Sequence, residues 1–560
     1  MGADDTPRRA GFLERRGGWI VAVAGLAAAT LILYVGRGTS FFLDEWWFIA
    51  RRRGGGIDSF LDSHNGHLTA IPVAVYKILL ATVGLRSYVP YRVVLVGFHL
   101  LTCALLFVYL RRRAPAVYAV AATVLMLFLG HAWEDLLWAF QITFLLSAAT
   151  GIAALLLLDR RDRAGDVGAM VAVAASIASG GIGLVFAGGV LVELLWTRRD
   201  QRRLWIVGVP LAAYAVWQLA YGGADGSLEN FSHLVSFTNT LAGDAGRALV
   251  GTSVLAGAAV AAVVVAVVVQ VVRTWPISGR FANTIAMPLG FWALLTYSRG
   301  DFGVGNRYTY LSVLFLILVG AEVVAKAPSA RALPRPVVVV GAAALVLVLS
   351  FSVIDNVRAF SDGRSVLTGF AARDGARFSA LMLASDRAAR DAAIFRPTSG
   401  PKAGGIIDAL TELDFPTLDA DALLAQREDA REEADNTIAL ALGRVVDVGS
   451  DATGDPTARD FTVEGSAGTL QQDGACLTLT AGGPSGDVTL TGDTIHARVT
   501  ASADAPVEVS ARSLADAFRE PIATIAPGTT RDITFAANGI RPWLLRLSTT
   551  GTLQACDRPR

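Results

Sequence analysis

The chain has 560 residues, 53% of them hydrophobic, with a mean hydropathy of +0.49 and a formal net charge of +1. That apolar content excludes a single soluble domain of this size and points to a membrane protein. The near-zero charge supplies no global basic field, so nucleic acid is not an expected partner.

Residues 1–18 form a basic N-terminal segment with Arg8, Arg9, Arg15 and Arg16, followed by an apolar run at 19–36. The run lacks a small-residue cleavage site and reads as a retained transmembrane helix rather than a signal peptide. Further apolar runs at 90–110, 116–131, 139–158, 166–179, 182–197, 203–221, 247–272, 281–297, 308–325 and 336–353 bring the expected number of spans to about eleven. Ser179-Gly180-Gly181 separates two short runs, which read as two helices or as a re-entrant hairpin.

The distribution of basic residues orients these spans. Arg111–Arg113, Arg160, Arg161 and Arg163, Arg198, Arg199, Arg202 and Arg203, Arg273 and Arg280, and Lys326, Arg331 and Arg335 all fall on one side. That side is the cytoplasm, with the N-terminus inside and the C-terminal region extracytoplasmic. Arg51–Arg53 oppose the rule, because the same count places them outside. The outer loops collect Asp44, Glu45, Asp58, Asp62, His64 and His67, then His131 to Asp135, then Asp225, Glu229 and His233, and last Arg299 to Tyr308. Within the first outer loop, Leu68, Ile71, Val75 and Leu79 recur at helical spacing and predict an amphipathic helix on the membrane surface.

The remaining chain divides in two. Residues 354–444 read as a polar helical segment, with Leu367, Phe370, Phe378 and Leu381 on one face and a break at 397–405. From 445 to 560 the period becomes two, as in Val488/Leu490, Ile495/Ala497/Val499 and Val507/Val509, which predicts an antiparallel β-sandwich of about 100 residues. Of the three cysteines, Cys103 lies in an apolar run as an inert core residue. Cys476 and Cys556 are placed to pair in an oxidising compartment, where closing that loop contributes roughly 4–5 kcal/mol in the chain-entropy view.

Four constellations carry candidate chemistry. Asp44-Glu45 sits within Phe41-Phe42-Leu43-Asp44-Glu45-Trp46-Trp47-Phe48, directly after the first span. A carboxylate among apolar side chains suits a general base for a hydroxyl nucleophile. Asp44 is the first choice and Glu45 the alternate; the bland reading is an interfacial acid pair bound to Arg51–Arg53. His64-Asn65-Gly66-His67 could cap a helix, hold substrate hydroxyls or, as a weaker signal, bind a metal. Trp133-Glu134-Asp135 joins carboxylates to an aromatic ring, a combination that suits a sugar, although Trp is common at membrane interfaces. Arg299 and Arg307 flank a turn with Gly303, Gly305, Asn306 and Tyr308 and suit a phosphate; interfacial snorkelling is the alternative.

The outer-loop Asp44-Glu45 after a first span, His64 to His67 followed by Pro72 and Tyr76, Asn306-Arg307-Tyr308 opening a late span, and a C-terminal extracytoplasmic domain resemble the GT-C-type integral-membrane glycosyltransferases, over about residues 15–355. The resemblance implies a multi-helix membrane bundle with juxtamembrane helices in its first loop and a polyprenyl-phosphate-linked sugar as donor. It also implies a first-loop acid as base and late-loop arginines on the donor phosphate, in an inverting transfer to an envelope glycan or lipid. No cofactor is expected, and a divalent metal is not favoured. The competing expectation is a transporter or flippase for a lipid-linked glycan, or a non-catalytic envelope-assembly protein. Transporters place ionisable groups inside their spans, where Glu193 and His99 are the exceptions noted here.

Overall fold

A computed structural model describes residues 12–223, 226–299, 305–326, 334–395, 400–447 and 461–557. It divides into two compact units. The first comprises residues 1–39, 54–81 and 88–367, and the second residues 40–53, 82–87 and 368–560.

The described chain opens with α1 (Phe12–Val35), α2 (Glu45–Arg51), α3 (Asp58–Leu61), α4 (Ala70–Thr82), α5 (Val89–Arg113) and α6 (Ala116–Leu127). It continues through α7 (Trp133–Leu137), α8 (Ile142–Leu158), α9 (Arg163–Ile177), α10 (Ile182–Trp196), α11 (Trp205–Tyr221) and α12 (Leu234–Val250). Next come α13 (Ser253–Thr274), α14 (Gly279–Arg299), α15 (Arg307–Val324) and α16 (Arg335–Leu383), and the second unit adds α17 (Ala403–Glu412), α18 (Ala420–Leu424) and α19 (Glu428–Leu442). Among the described residues, six helices are long and apolar enough to cross a membrane, or seven if α6 and the Gly130–Leu137 segment, bent by 41°, count as one broken span. The difference from eleven has a plain cause. At 1.5 Å per residue, α9 and α10 (15 residues each) and α11 (17 residues) fall short of a hydrocarbon core about 30 Å thick. Helix α14 is long enough but carries Arg280, Asn283, Thr284, Thr296 and Arg299.

Two expectations in the first unit change. The run expected as one span at 247–272 is broken, because α12 ends at Gly251 (φ 76°) and Thr252 caps α13 by accepting from the Val254 N–H at 3.1 Å. A Cβ at Gly251 would lie 2.7 Å from the backbone of Phe351 and Ser352, so α16 passes too close for any other residue. The amphipathic helix forms as α4, but Pro72, Val73, Tyr76 and Leu79 are its buried residues. Tyr76 packs on Tyr91 with ring centroids 5.5 Å apart and turns that face inward in place of the Leu68–Ile71–Val75 face.

Buried ion pairs join several helices of the first unit. Arg113 meets Asp159 at 2.6 Å and Glu322 at 3.2 Å, while Arg280 meets Asp159 at 3.0 Å and Glu193 at 2.6 Å. Asn283 donates to the same Glu193 carboxylate at 2.7 Å. Arg113 and Arg280, from two of the basic clusters that orient the chain, are therefore matched by acids scattered singly through the sequence.

In the second unit, strands β1 (Gly443–Asp447), β9 (Thr530–Phe535), β6 (Ile495–Ala501), β11 (Thr552–Asp557), β4 (Cys476–Thr480) and β3 (Thr469–Asp473) lie side by side in that order. A second antiparallel sheet runs β2 (Thr462–Ala467), β5 (Gly486–Gly492), β10 (Trp543–Thr549), β7 (Val507–Arg512) and β8 (Ala523–Ile525). The alternating residues Val488, Leu490, Ile495, Ala497, Val499, Val507 and Val509 are all fully buried. Phe535 of one sheet packs on Trp543 of the other at 5.1 Å, so the two inner faces share a core. Cys476 and Cys556 stand opposite each other in register and form a disulfide.

Asp435 of α19 ties the helices to this β region. Its two carboxylate oxygens accept from the backbone N–H groups of Ser513, Leu514 and Ala515 at 2.7–2.9 Å. Burial pushes this carboxyl up to about 6, against the pull of those three donors. Asp435→Ala strands the donors in a buried site at about 1–3 kcal/mol each. The variant is expected to lower the thermal midpoint of the purified chain by several degrees, and an unchanged midpoint would contradict the role given to Asp435.

Candidate functional site

The stretch from Phe41 to Phe48 belongs to the second unit, and packing accounts for its aromatic residues. Phe42 lies 4.3 Å from Phe370, and Trp46 packs on Phe378 at 4.3 Å and on Phe415 at 5.6 Å between ring centroids. Glu45 is fully buried, and its Oε2 accepts from the Phe42 N–H at 2.8 Å, closing the turn that begins α2. That carboxylate is committed to the fold. Asp44 precedes it at the N-cap and is part-exposed. Leu43, immediately before Asp44, has φ 45°, a left-handed conformation that costs a branched residue roughly 1–2 kcal/mol. The Arg51–Arg53 cluster, anomalous by the charge rule, has local partners: Arg51 lies over the Trp47 ring at 4.6 Å, Arg52 over Phe48 at 5.2 Å, and Arg53 pairs with Glu412.

In the first unit, His64 and His67 face each other across a two-residue turn, each donating its N–H to the other's carbonyl at 3.0 Å. Asn65 (φ 48°) and Gly66 (φ 74°) supply the two positive φ values that an Asn-Gly hairpin turn requires. The Asn-Gly pair signals this turn in the sequence, alongside the capping, hydroxyl-binding and metal readings. His64 packs on Phe140 at 5.1 Å, and the His67 ring lies against Gly181. Among the described residues, no group of three or more His, Cys, Asp or Glu side chains is placed to hold a metal ion.

The second candidate cluster forms where α7 meets the start of α15. The Glu134 carboxylate lies at the start of α15, with its Oε2 4.0 Å from the Arg307 guanidinium. A carboxylate at a helix N-terminus is stabilised by the exposed N–H groups and the helix dipole. The Arg307 guanidinium also lies over the Tyr308 ring at 5.3 Å, and Tyr308 itself is buried beside Phe144 at 6.3 Å. Asp135 is fully buried, and neither of its carboxylate oxygens meets a hydrogen-bond partner among the described residues. A buried carboxylate without a hydrogen-bond partner is costly as an anion.

Trp133 is fixed against Gly363 of α16, where no side chain fits. Gly130, just before it, lies against the Asn356 carbonyl with the same consequence. Asn356 Oδ1 accepts from the His131 N–H at 3.1 Å, and His131 Nε2 lies 2.6 Å from Asp355. These contacts pin the segment carrying Glu134 and Asp135 to α16. Arg299 ends α14, part-buried and without an ion pair among the described residues. Asp225, residues 300–304 (including Gly303), Arg8, Arg9 and Arg331 lie outside the described residues.

Three buried groups of the first unit add to the expected set. His99 lies 3.0 Å from the Tyr310 hydroxyl and 3.3 Å from the Leu127 carbonyl. Tyr310 is itself fully buried. Arg92, four residues into α5, is 4% exposed. An arginine inside a predicted span was a usable signal on its own. Neither protein-family models nor curated proteins give a match to this sequence.

Proposed function

We propose that the chain is an integral-membrane glycosyltransferase of the GT-C type, with about eleven membrane segments. It moves a sugar from a polyprenyl-phosphate donor to a cell-envelope acceptor on the extracytoplasmic face. The observation that carries this reading is the strained turn at Leu43, which leaves Asp44 part-exposed while Glu45 is buried in the fold. Backbone strain of this kind clusters at functional sites. In the mechanism, an acceptor hydroxyl attacks the anomeric carbon, the bond from that carbon to the phosphate oxygen breaks, and Asp44 takes the hydroxyl proton. The lipid phosphate leaves with the electron pair; the resemblance assigns Arg307 and Arg299 to that phosphate. Attack opposite the leaving group inverts the anomeric centre. Trp133, Glu134, Asp135, His64, Asn65 and His67 are assigned to sugar and acceptor recognition.

Membranes carrying the chain, supplied with a radiolabelled polyprenyl-phosphate sugar, are expected to release free polyprenyl phosphate in proportion to product. The absence of cleavage with every envelope sugar donor tried would sink the reading. A transport reading gains one specific observation: the first unit holds buried ionisable groups at Arg92, His99 and Asp135, more than the sequence argument allowed. A transporter would move labelled lipid-linked glycan across the bilayer without cleaving it.

A further inference from the structure

The well-buried arginines of the first unit are matched by acids, with one exception. Arg113 and Arg280 share Asp159, Glu193 and Glu322, and Arg203 meets Asp166 at 2.5 Å. Arg92 is more deeply buried than these, yet Nε and Nη1 have no hydrogen-bond partner among the described residues. Its electrostatic neighbour is Tyr88, whose ring lies 5.9 Å away and stacks on Tyr91 at 6.1 Å. The fold makes room for this side chain. A Cβ on Gly36, just beyond α1, would lie 2.5 Å from Arg92 Nη1 and 3.2 Å from its Cδ. Guanidinium does not escape burial by losing its proton, as lysine can. A buried cation without a counter-charge is strongly unfavourable, and its planar fork suits bidentate contact with a phosphate.

We propose that Arg92 is the anchor of a phosphate-binding site at the N-terminal end of α5, with Tyr88 and Gly36 as its walls. The site is argued from burial and geometry. Its assignment to the phosphate of an isoprenyl lipid rests on the glycosyl-transfer reading, and there it precedes Arg307, which is already engaged by Glu134. The phosphate belongs either to a lipid head group or to a free ion.

The test uses the full chain in a neutral detergent, with farnesyl phosphate, farnesol and inorganic phosphate as probes in calorimetric titration and thermal melts. Wild type is expected to bind farnesyl phosphate saturably and farnesol at least about tenfold more weakly, because the charged contact carries the affinity. Arg92→Gln is expected to lose about tenfold or more of the farnesyl phosphate affinity while its ligand-free melting point stays level or rises, since the substitution removes an unpaired buried charge. Should Arg92→Gln fail to fold, Arg92→Lys keeps the charge, loses the fork and is expected to bind with intermediate affinity. Competition by inorganic phosphate supports the site and makes the free ion a sufficient ligand; failure to compete supports the site and makes the lipid head group the source. Equal binding by wild type and Arg92→Gln overturns the site and leaves the glycosyl-transfer reading standing. If neither phosphate probe binds wild type, both the site and that reading's donor class are overturned.

Discussion

Asp44→Asn is expected to lower sugar transfer by about 10²–10⁴-fold, the usual contribution of a positioned general base, while the protein remains folded. The amide keeps the shape of the side chain but loses its negative charge, and with it the capacity to take a proton. Asp44 makes no side-chain capping bond to α2, so no cap is lost with its charge. Glu45 provides the contrast within the same turn. Glu45→Ala leaves the Phe42 N–H without its acceptor in a buried site and is expected to cost about 1–3 kcal/mol of stability. The paired result, one variant inactive and folded and the other destabilised, separates chemistry from architecture two atoms of backbone apart. Transfer by membranes and the elution profile of purified protein measure the two halves. Wild-type activity in Asp44→Asn removes Asp44 as the base.

A large stability effect is expected at Arg280. Its guanidinium meets Asp159 at 3.0 Å and Glu193 at 2.6 Å and donates to the Leu155 carbonyl at 3.2–3.3 Å. Arg280→Ala leaves two carboxylates short of their counter-charge in a buried setting, a change worth about 3–5 kcal/mol. Against a folding stability of about 5–15 kcal/mol, that should abolish most of the monodisperse protein recovered in detergent. Recovery should improve when Glu193→Leu is combined with Arg280→Met, because removing both charges relieves what removing one exposes. A single variant as stable as wild type would show that the network contributes little.

Those same residues show what a single sequence reveals. The arginine clusters were legible because they are runs, whereas Asp159, Asp166 and Glu193 stand alone and acquire meaning only when the helices meet. The β region was legible because Val488/Leu490 and Ile495/Ala497/Val499 face inward with a period of two, and that pattern is local. The break at Gly251 was hidden inside an almost continuous apolar stretch, since what demands glycine there is α16, a hundred residues later. The aromatic residues around Asp44 are visible in the sequence, but their packing partners are not. Phe42 and Trp46 pack on Phe370 and Phe378, and no local pattern announces so distant a contact. Arg92 was visible and informative as an ionisable residue inside an apolar run; its lack of a partner could be learned only from three dimensions.

The most direct test of the glycosyltransferase proposal is envelope glycan linkage analysis in cells lacking this chain, with and without complementation by the wild-type protein. The proposal predicts that one sugar linkage disappears, that the wild-type chain restores it, and that the sugar-loaded polyprenyl phosphate accumulates in its absence. An unaltered set of linkages, or loss of whole glycans with their lipid-linked precursor trapped on the cytoplasmic side, would contradict it and favour transport.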